Sequence, residues 1–352
     1  MTYLARELVR MGCEVHVAYL EGGSNLERLE AAGATLHRLR AWGNYDPQIL
    51  ARLLSTIREV QPDVVQCWLL QMEVLGGLAS MLTRTPWVFS ERSCQEAYPA
   101  SVKNALRVRM GLLATAIVPN SEGGDRYWRA QGRGPLRSRV IGNALPLEEI
   151  ASAPTATDEE AGVAAGQPLV LSAGRFSPEK NFESFVRAIR LVVASRPVHA
   201  ICCGEGPLRS RVEELAAQSG PDGSVRTIEY ARNLWSLMKR ASVTVSVSRF
   251  EGSPNVVLEA MACGCPLVVS DIAAHRELLD DRSAVFVDPG DSQRIADGII
   301  EVLNDPGAAA RRARVACDRV QRHSLSAIAR EYADLYRELA AHRGRHLTRV
   351  AL

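Results

Sequence analysis

The chain has 352 residues, 47% of them apolar and 23% charged, with a formal net charge of +2. That length is too great for one ordinary core and asks for two domains of roughly 150 to 200 residues, while the small net charge argues against nucleic acid as the main partner. No apolar run approaches the ~20 residues that span a bilayer, and no basic-then-apolar leader opens the chain.

In chain order, residues 2–12 (TYLARELVRMG) predict a helix closed by Gly12, and 13–20 (CEVHVAYL) a strand. Residues 46–61 form a helix pattern with Asp46 as N-cap and Pro47 at its first position. Strand 62–68, helix 72–84, strand 86–92, a longer helical region, strand 115–120 and a short strand at 139–144 complete a first block. From 99 to 139 eight basic residues face only two acids, and 102–118 (VKNALRVRMGLLATAIV) has the pattern of an amphipathic helix with a basic edge. Such an edge suits either solvent or peripheral contact with an anionic membrane.

Residues 145–168, rich in Ala, Pro, Gly, Thr and acid, predict an interdomain linker. A second block then alternates strands at 168–176, 198–206, 225–230, 242–248, 266–271 and 284–289 with helices at 181–196, 207–220, 233–241, 254–263 and 292–305. Residues 324–343 read as a long amphipathic helix. Alternation of this kind marks parallel α/β domains. The expected division is a first domain over 1–144, the linker, a second domain over 169–323, and a terminal helical segment over 324–352. A doubly wound domain normally opens with its central strand and a tight turn, whereas this chain opens inside the helix that should follow. Two unpaired strand edges are therefore expected in the first domain, and Met1 reads as an internal methionine of a longer protein.

The densest chemistry lies at 248–266, SRFEGSPNVVLEAMACGCP. Ser253 fits an N-cap, Pro254 the first helical position and Gly264 the C′ residue. The free amides of Asn255, Val256 and Val257 then form an anion site. Glu259 shares a face with Asn255, one turn on, and Glu251 lies in the loop before the helix. A carboxylate at each end with amides between suits a sugar–diphosphate–ribose ligand. Gly174-Arg175 follow a strand and Lys180 opens the next helix, so two cations can neutralise a diphosphate without a metal. Gly204 and Gly206, in a strand–turn–helix, permit close approach. They make a poor dinucleotide fingerprint, which leaves an NAD dehydrogenase reading weak. No DxD, HExxH or GxSxG is present, so no metal site and no serine nucleophile is expected.

Taken in order, Arg175 with Lys180, the GEGP at 204–207, Glu251 through Glu259, and the following ACGCPLVVSD and RELL resemble the retaining GT-B glycosyltransferases of family four, the group 1 type. The resemblance implies two Rossmann-like, doubly wound parallel-sheet domains facing each other across a cleft, and a last helix that crosses back to the first domain. It also implies transfer of a sugar from a nucleotide diphosphate donor to a hydroxyl of a lipid-linked or glycan acceptor, in polysaccharide or glycolipid assembly. No cofactor is implied; the donor base is UDP ahead of GDP, and the location is the cytoplasm, at the inner face of the membrane.

By position, Arg175 and Lys180 would hold the diphosphate, with Gly174, Gly204, Gly206, Ser253 and the amides of residues 255–257 beside them. Glu259 would bind the ribose, Glu251 the transferred sugar, and Tyr230 would stand near the base. Gln66, Trp68, Gln71, Asn120 and Asn143 would line the acceptor side, where the family often carries histidines that this chain lacks. A non-catalytic nucleotide-binding partner subunit is the alternative.

Overall fold

Strands that are apolar on both faces and separated by helices assemble into two six-stranded parallel sheets in the computed structural model. It describes residues 1–23, 25–43, 46–98, 100–132, 138–219, 224–229 and 233–352. One unit comprises Met1–Ala144 and His323–Leu352, the other Leu145–Arg322. Unit 1 contains β1 (Glu14–Tyr19), β2 (Thr35–Arg38), β3 (Val64–Cys67), β4 (Trp87–Glu91), β5 (Ala116–Pro119) and, at the far end of the chain, β12 (Arg349–Ala351). Unit 2 contains β6 (Leu169–Ala173), β7 (His199–Cys203), β8 (Val225–Ile228), β9 (Val243–Ser246), β10 (Leu267–Ser270) and β11 (Val285–Val287).

Unit 2 has the order β11-β10-β9-β6-β7-β8, a doubly wound sheet with its first strand at the centre. Apolar clusters cover both faces, so β6 and β7 are buried at every position. Residues 145–168 are packed rather than linking. They form helices Leu147–Ser152 and Asp158–Ala161, the second closed by a Thr157–Glu160 capping box, and Ile150 and Ala161 are wholly buried in the unit 2 core. The polar composition that suggested a linker is the composition of caps and turns.

Unit 1 has the order β2-β1-β12-β3-β4-β5. The two strand edges expected to stand open are paired, because β12 lies between β1 and β3, parallel to both. Asp63, just before β3, accepts from the Thr348 N–H and hydroxyl and from the Arg349 N–H at 2.9–3.0 Å. Burial pushes the Asp63 carboxyl up, but these bonds outweigh it and hold the pKa below its ordinary value. Arg349 in turn donates to Glu14 at 2.8 Å and to the Val60 carbonyl at 2.6 Å.

Helix Leu325–Ala341 buries Ile328, Tyr332, Leu335, Tyr336 and Leu339 at three- and four-residue spacing, in the same core as the helix Thr2–Arg10. The stretch 139–144 runs beside β5 through the Arg139 and Ile141 amides without becoming a ladder strand. The helix Pro306–Val320, with Asp305 as its cap, was not foreseen.

Candidate functional site

In unit 2 the polar side chains collect where β6, β7 and β9 end. The chain leaves β6 through Gly174, whose φ is +146°, then Arg175, and enters a short turn at Pro178–Lys180 before the helix Phe182–Ser195. The loop after β7 lies directly against it. The Gly174 N–H bonds to the Cys203 carbonyl at 2.9 Å and the Phe176 N–H to the Glu205 carbonyl at 2.7 Å. A Cβ on Gly204 would sit 1.8 Å from the Gly174 oxygen, and one on Gly206 2.5 Å from the Phe176 oxygen. Gly204 and Gly206 therefore permit the close contact of one loop with another.

Lys180 reaches the loop after β9. Its ammonium donates to Glu251 Oε1 at 2.5 Å, and the Ser248 hydroxyl donates to the same oxygen at 2.7 Å. A concavity here is lined by Ser172, Lys180, Ser248, Glu251, Pro254 and Val256, among others. Asn181, in the left-handed region at φ +57°, fixes the turn by donating to the Val247 and Pro289 carbonyls at 3.1 and 2.8 Å. Beneath lies His275, wholly buried, its Nδ1 2.8 Å from the Ser270 carbonyl oxygen. Burial pulls the His275 pKa below its ordinary value, so the ring is neutral and Nδ1 is the donor. The Arg175 side chain is exposed and has no ion-pair partner among the described residues.

The helix after Glu251 runs Asn255–Ala262, with Pro254, whose side chain makes no capping bond, as its cap residue. It starts one residue later than expected, and Ser253 lies outside it. The first intrahelical bond is from the Leu258 N–H to the Pro254 carbonyl, so the amides of 255–257 form the first turn of the helix. Glu259 is half-buried, and burial pushes its carboxyl up to about 7, a hydrogen bond from the Trp235 side chain pulling it back only in part. Tyr230 lies outside the described residues.

Unit 1 brings three of the acceptor-side residues to one pocket and buries the other two. Gln66 is buried within β3, donating to the Ser90 hydroxyl at 2.8 Å and accepting from the Tyr336 hydroxyl, and it lines one pocket of unit 1 together with Trp68 and Gln71. Asn120 and Asn143 are buried as well. Asn120 donates to the Arg92 carbonyl at 3.3 Å, and Asn143 accepts from the Arg92 guanidinium. Trp68 is half-buried, with the Arg92 guanidinium 5.3 Å from its ring centre. Gln71 is half-buried too. Arg92, immediately after β4, is thus the hub of this group, and no motif announced it. Ser248, Asn181, His275 and Trp235 were also missed. Only Ser248, three residues before Glu251, had a readable spacing.

A second polar cluster in unit 1 is wholly enclosed. Arg107, on the helix Val102–Leu113, donates to Glu73 and to Glu91 at 2.8 Å each. Glu91 also accepts from the Tyr98 hydroxyl at 2.5 Å and the Trp128 indole at 3.0 Å. The expected basic edge therefore lacks one of its cations, because Arg107 points inward.

The comparisons agree with this arrangement. The model described as Glycosyl transferases group 1 matches residues 155–318, and the Glycosyl transferase 4-like domain matches residues 1–144. The alpha-D-kanosaminyltransferase of Streptomyces kanamyceticus is 29% identical over 49% of this chain and 46% of its own. A Campylobacter jejuni N-acetylgalactosamine-N,N'-diacetylbacillosaminyl-diphospho-undecaprenol 4-alpha-N-acetylgalactosaminyltransferase is 26% identical over 54% of this chain and 52% of its own. The chain thus spans about half the length of these curated relatives. Among solved structures, Anabaena HepE in complex with UDP-glucose superposes with a TM-score of 0.84 at 20% identity, over 95% of this chain and 94% of that one. With a family model over each unit and this fold beneath both, the chain belongs to the GT-B glycosyltransferases of the group 1 type.

Proposed function

We propose that the chain moves a sugar from a UDP-sugar to a hydroxyl of a lipid-linked or glycan acceptor, with retention at the anomeric carbon and without a metal at the phosphates. The observation that carries this reading is the shared pocket of the Lys180 ammonium and the Glu251 carboxylate at the start of the helix Asn255–Ala262. The likeness to a protein solved with UDP-glucose supports a uridine donor. A relative named for a diphospho-undecaprenol substrate supports a lipid-linked acceptor, and through it a place in surface polysaccharide or glycolipid assembly.

In this mechanism the donor diphosphate displaces Glu251 from Lys180. Lys180, Arg175 and the amides of residues 255–257 then bear the charge that develops as the bond from C1 to the diphosphate breaks. The acceptor oxygen bonds C1 on the same face, and its proton passes to the departing diphosphate oxygen. Glu259 takes the ribose hydroxyls, and Glu251, once released, the sugar.

Calorimetric titration with UDP, GDP and NAD, on the chain and on Lys180→Ala, tests the reading. UDP binding that is weakened by at least ~10-fold in the variant is expected for a charge-assisted contact. A folded chain that binds none of the three nucleotides would overturn it, and NAD binding alone would turn it toward redox chemistry. Transfer that is abolished by EDTA and restored by Mn²⁺ would defeat the metal-independent part.

A further inference from the structure

The two faces of the unit 1 sheet are filled unequally. On one face Val15, Val17, Val64 and Val350 pack in a single core with Tyr332 and Tyr336. The other face looks toward the helix Gln48–Val60 and carries Ala18 on β1 and Ala351 on β12, with Val65 and Cys67 on β3. Both alanines lie on inner strands yet are only half-buried, whereas Val15, Val17 and Val350 are no more than 1% exposed.

Over these alanines lies a cavity of about 280 Å³, bounded by Leu53 and Ile57 of that helix and by Met72 and Gly76 of the helix Leu70–Leu82. A Cβ on Gly76 would lie 2.8 Å from the Cys67 sulfur, so the second helix already touches the sheet and cannot settle further to close the space. The polar side chains around the cavity are engaged with one another or turned away. Gln66 bonds to Ser90 and Tyr336. The ring nitrogens of His16 are 2.9 Å from His37 Nε2 and 3.0 Å from Glu14 Oε1. Burial lowers the His37 pKa, which keeps that ring neutral at neutral pH. No lysine or arginine side chain among the described residues lines the space.

We propose that this cavity binds the hydrocarbon group of an uncharged amphiphile, whose polar end stays outside at the edge marked by Leu69, a lining residue that is 74% exposed. Apolar space of this kind stays dry, and ~150 Å³ of it holds benzene. A cavity of about 280 Å³ therefore suits on the order of ten carbon atoms. A charged head drawn inside would find no counter-ion, which selects an uncharged ligand over a fatty acid or a phosphate. Trp68 and Gln71 line the same space, so on the transfer reading this molecule is the acceptor; the binding itself does not rest on that reading.

Calorimetric titration of the full chain with decyl and geranyl β-D-glucopyranoside, below their micellar concentrations, and with methyl β-D-glucopyranoside tests the site. Both long glucosides are expected to bind at least ~100-fold more tightly than the methyl one, because each buried methylene adds to affinity. Tighter decyl binding identifies a straight lipid chain as the natural source, tighter geranyl binding an isoprenoid. Ala18→Leu and Ala351→Leu each put a side chain into the cavity and should weaken decyl binding at least ~10-fold, with circular dichroism and UDP affinity unchanged. Leu53→Ala enlarges the cavity and should raise dodecyl over decyl affinity by at least ~5-fold, a second readout should a filling variant fold poorly. Equal affinity for the methyl and decyl glucosides, or undiminished decyl binding in both folded leucine variants, overturns the proposal. A chain that binds decyl glucoside but no nucleotide would defeat the transfer reading and uphold this site.

Discussion

In unit 2 the central strand β6 is the first strand of its unit, and the sheet grows outward on both sides, β7 and β8 on one flank and β9, β10 and β11 on the other. Unit 1 repeats that plan with one change of source. β1 and β2 occupy one flank, β3, β4 and β5 the other, and the centre is held by β12, drawn from the opposite end of the chain. The flanking strands present N–H and C=O groups that must be paired when buried, so the centre of the sheet is a demand made by its neighbours and not by chain order. The two sheets also differ in what their strand ends carry. In unit 2 the loop leaving the central strand brings Lys180 to a partly open pocket and leaves Arg175 exposed, whereas in unit 1 the cation Arg107 is buried between two carboxylates.

Removing residues 347–352 should break that parallel most severely. It deletes β12, three hydrogen-bonded contacts to Asp63 and the pairing of both neighbours. At about 1 kcal/mol for each hydrogen bond lost, unit 1 should weaken by on the order of 5 kcal/mol. Urea unfolding is then expected to separate into two transitions, with unit 2 retained in the later one. A single transition at the wild-type midpoint would mean that β12 contributes nothing to the sheet.

The two cations sharpen the contrast. Arg107 and its carboxylates have side chains no more than 3% exposed, whereas Lys180 and Glu251 are 24% and 11% exposed. Arg107→Met strands two buried acids and should cost about 3–5 kcal/mol in chemical denaturation, much of it recovered by adding Glu73→Gln and Glu91→Gln. Lys180→Met should change stability by no more than about 1 kcal/mol. Its effect belongs to transfer, which should fall by about 10²–10³-fold, the scale for losing one preorganised electrostatic contact. A Lys180 variant with near-normal turnover would reduce its pair with Glu251 to a structural one.

Local pattern carried most of unit 2. The strand, the turn at 178–180 and the helix near 255 each follow from adjacent residues, so Arg175, Lys180, Glu251 and Glu259 could be named from spacing. Gly204 and Gly206 were legible as positions without side chains, but the reason, collision with the Gly174 and Phe176 backbone, is a long-range fact. β12 was not legible, because three residues have no period and their pairing depends on Asp63 and Glu14, which lie 285 or more positions away. Arg107 sat in a run of cations that read alike, and only packing shows that, among the described ones, it alone turns inward. Asn120 and Asn143 stand near strand ends, where polar residues either line a cleft or close the core, and sequence offers no means of choosing.

The smallest expected effect compares two carboxyls. Glu73 and Glu259 are both pushed up to about 7, by burial first, yet Glu73 has Arg107 beside it while Glu259 has only the Trp235 side chain. The ordinary Glu259 value is 4.5, so between about pH 4.5 and 7 the folded chain holds a proton that the unfolded chain has released. That contribution to stability is present at low pH and is lost as pH rises through the folded pKa. Donor binding slopes the other way, because the ionised carboxylate is the better acceptor of ribose hydroxyls. A UDP-sugar, whose diphosphate diester does not titrate in this range, should therefore bind up to about tenfold more tightly at pH 8 than at pH 6. Glu259→Gln should bind it more weakly and without that slope, whereas Glu73→Gln should leave the slope intact. If the pH dependence survives Glu259→Gln, the group that titrates is not on the ribose side, and the two carboxyls have equivalent structural roles despite their different partners.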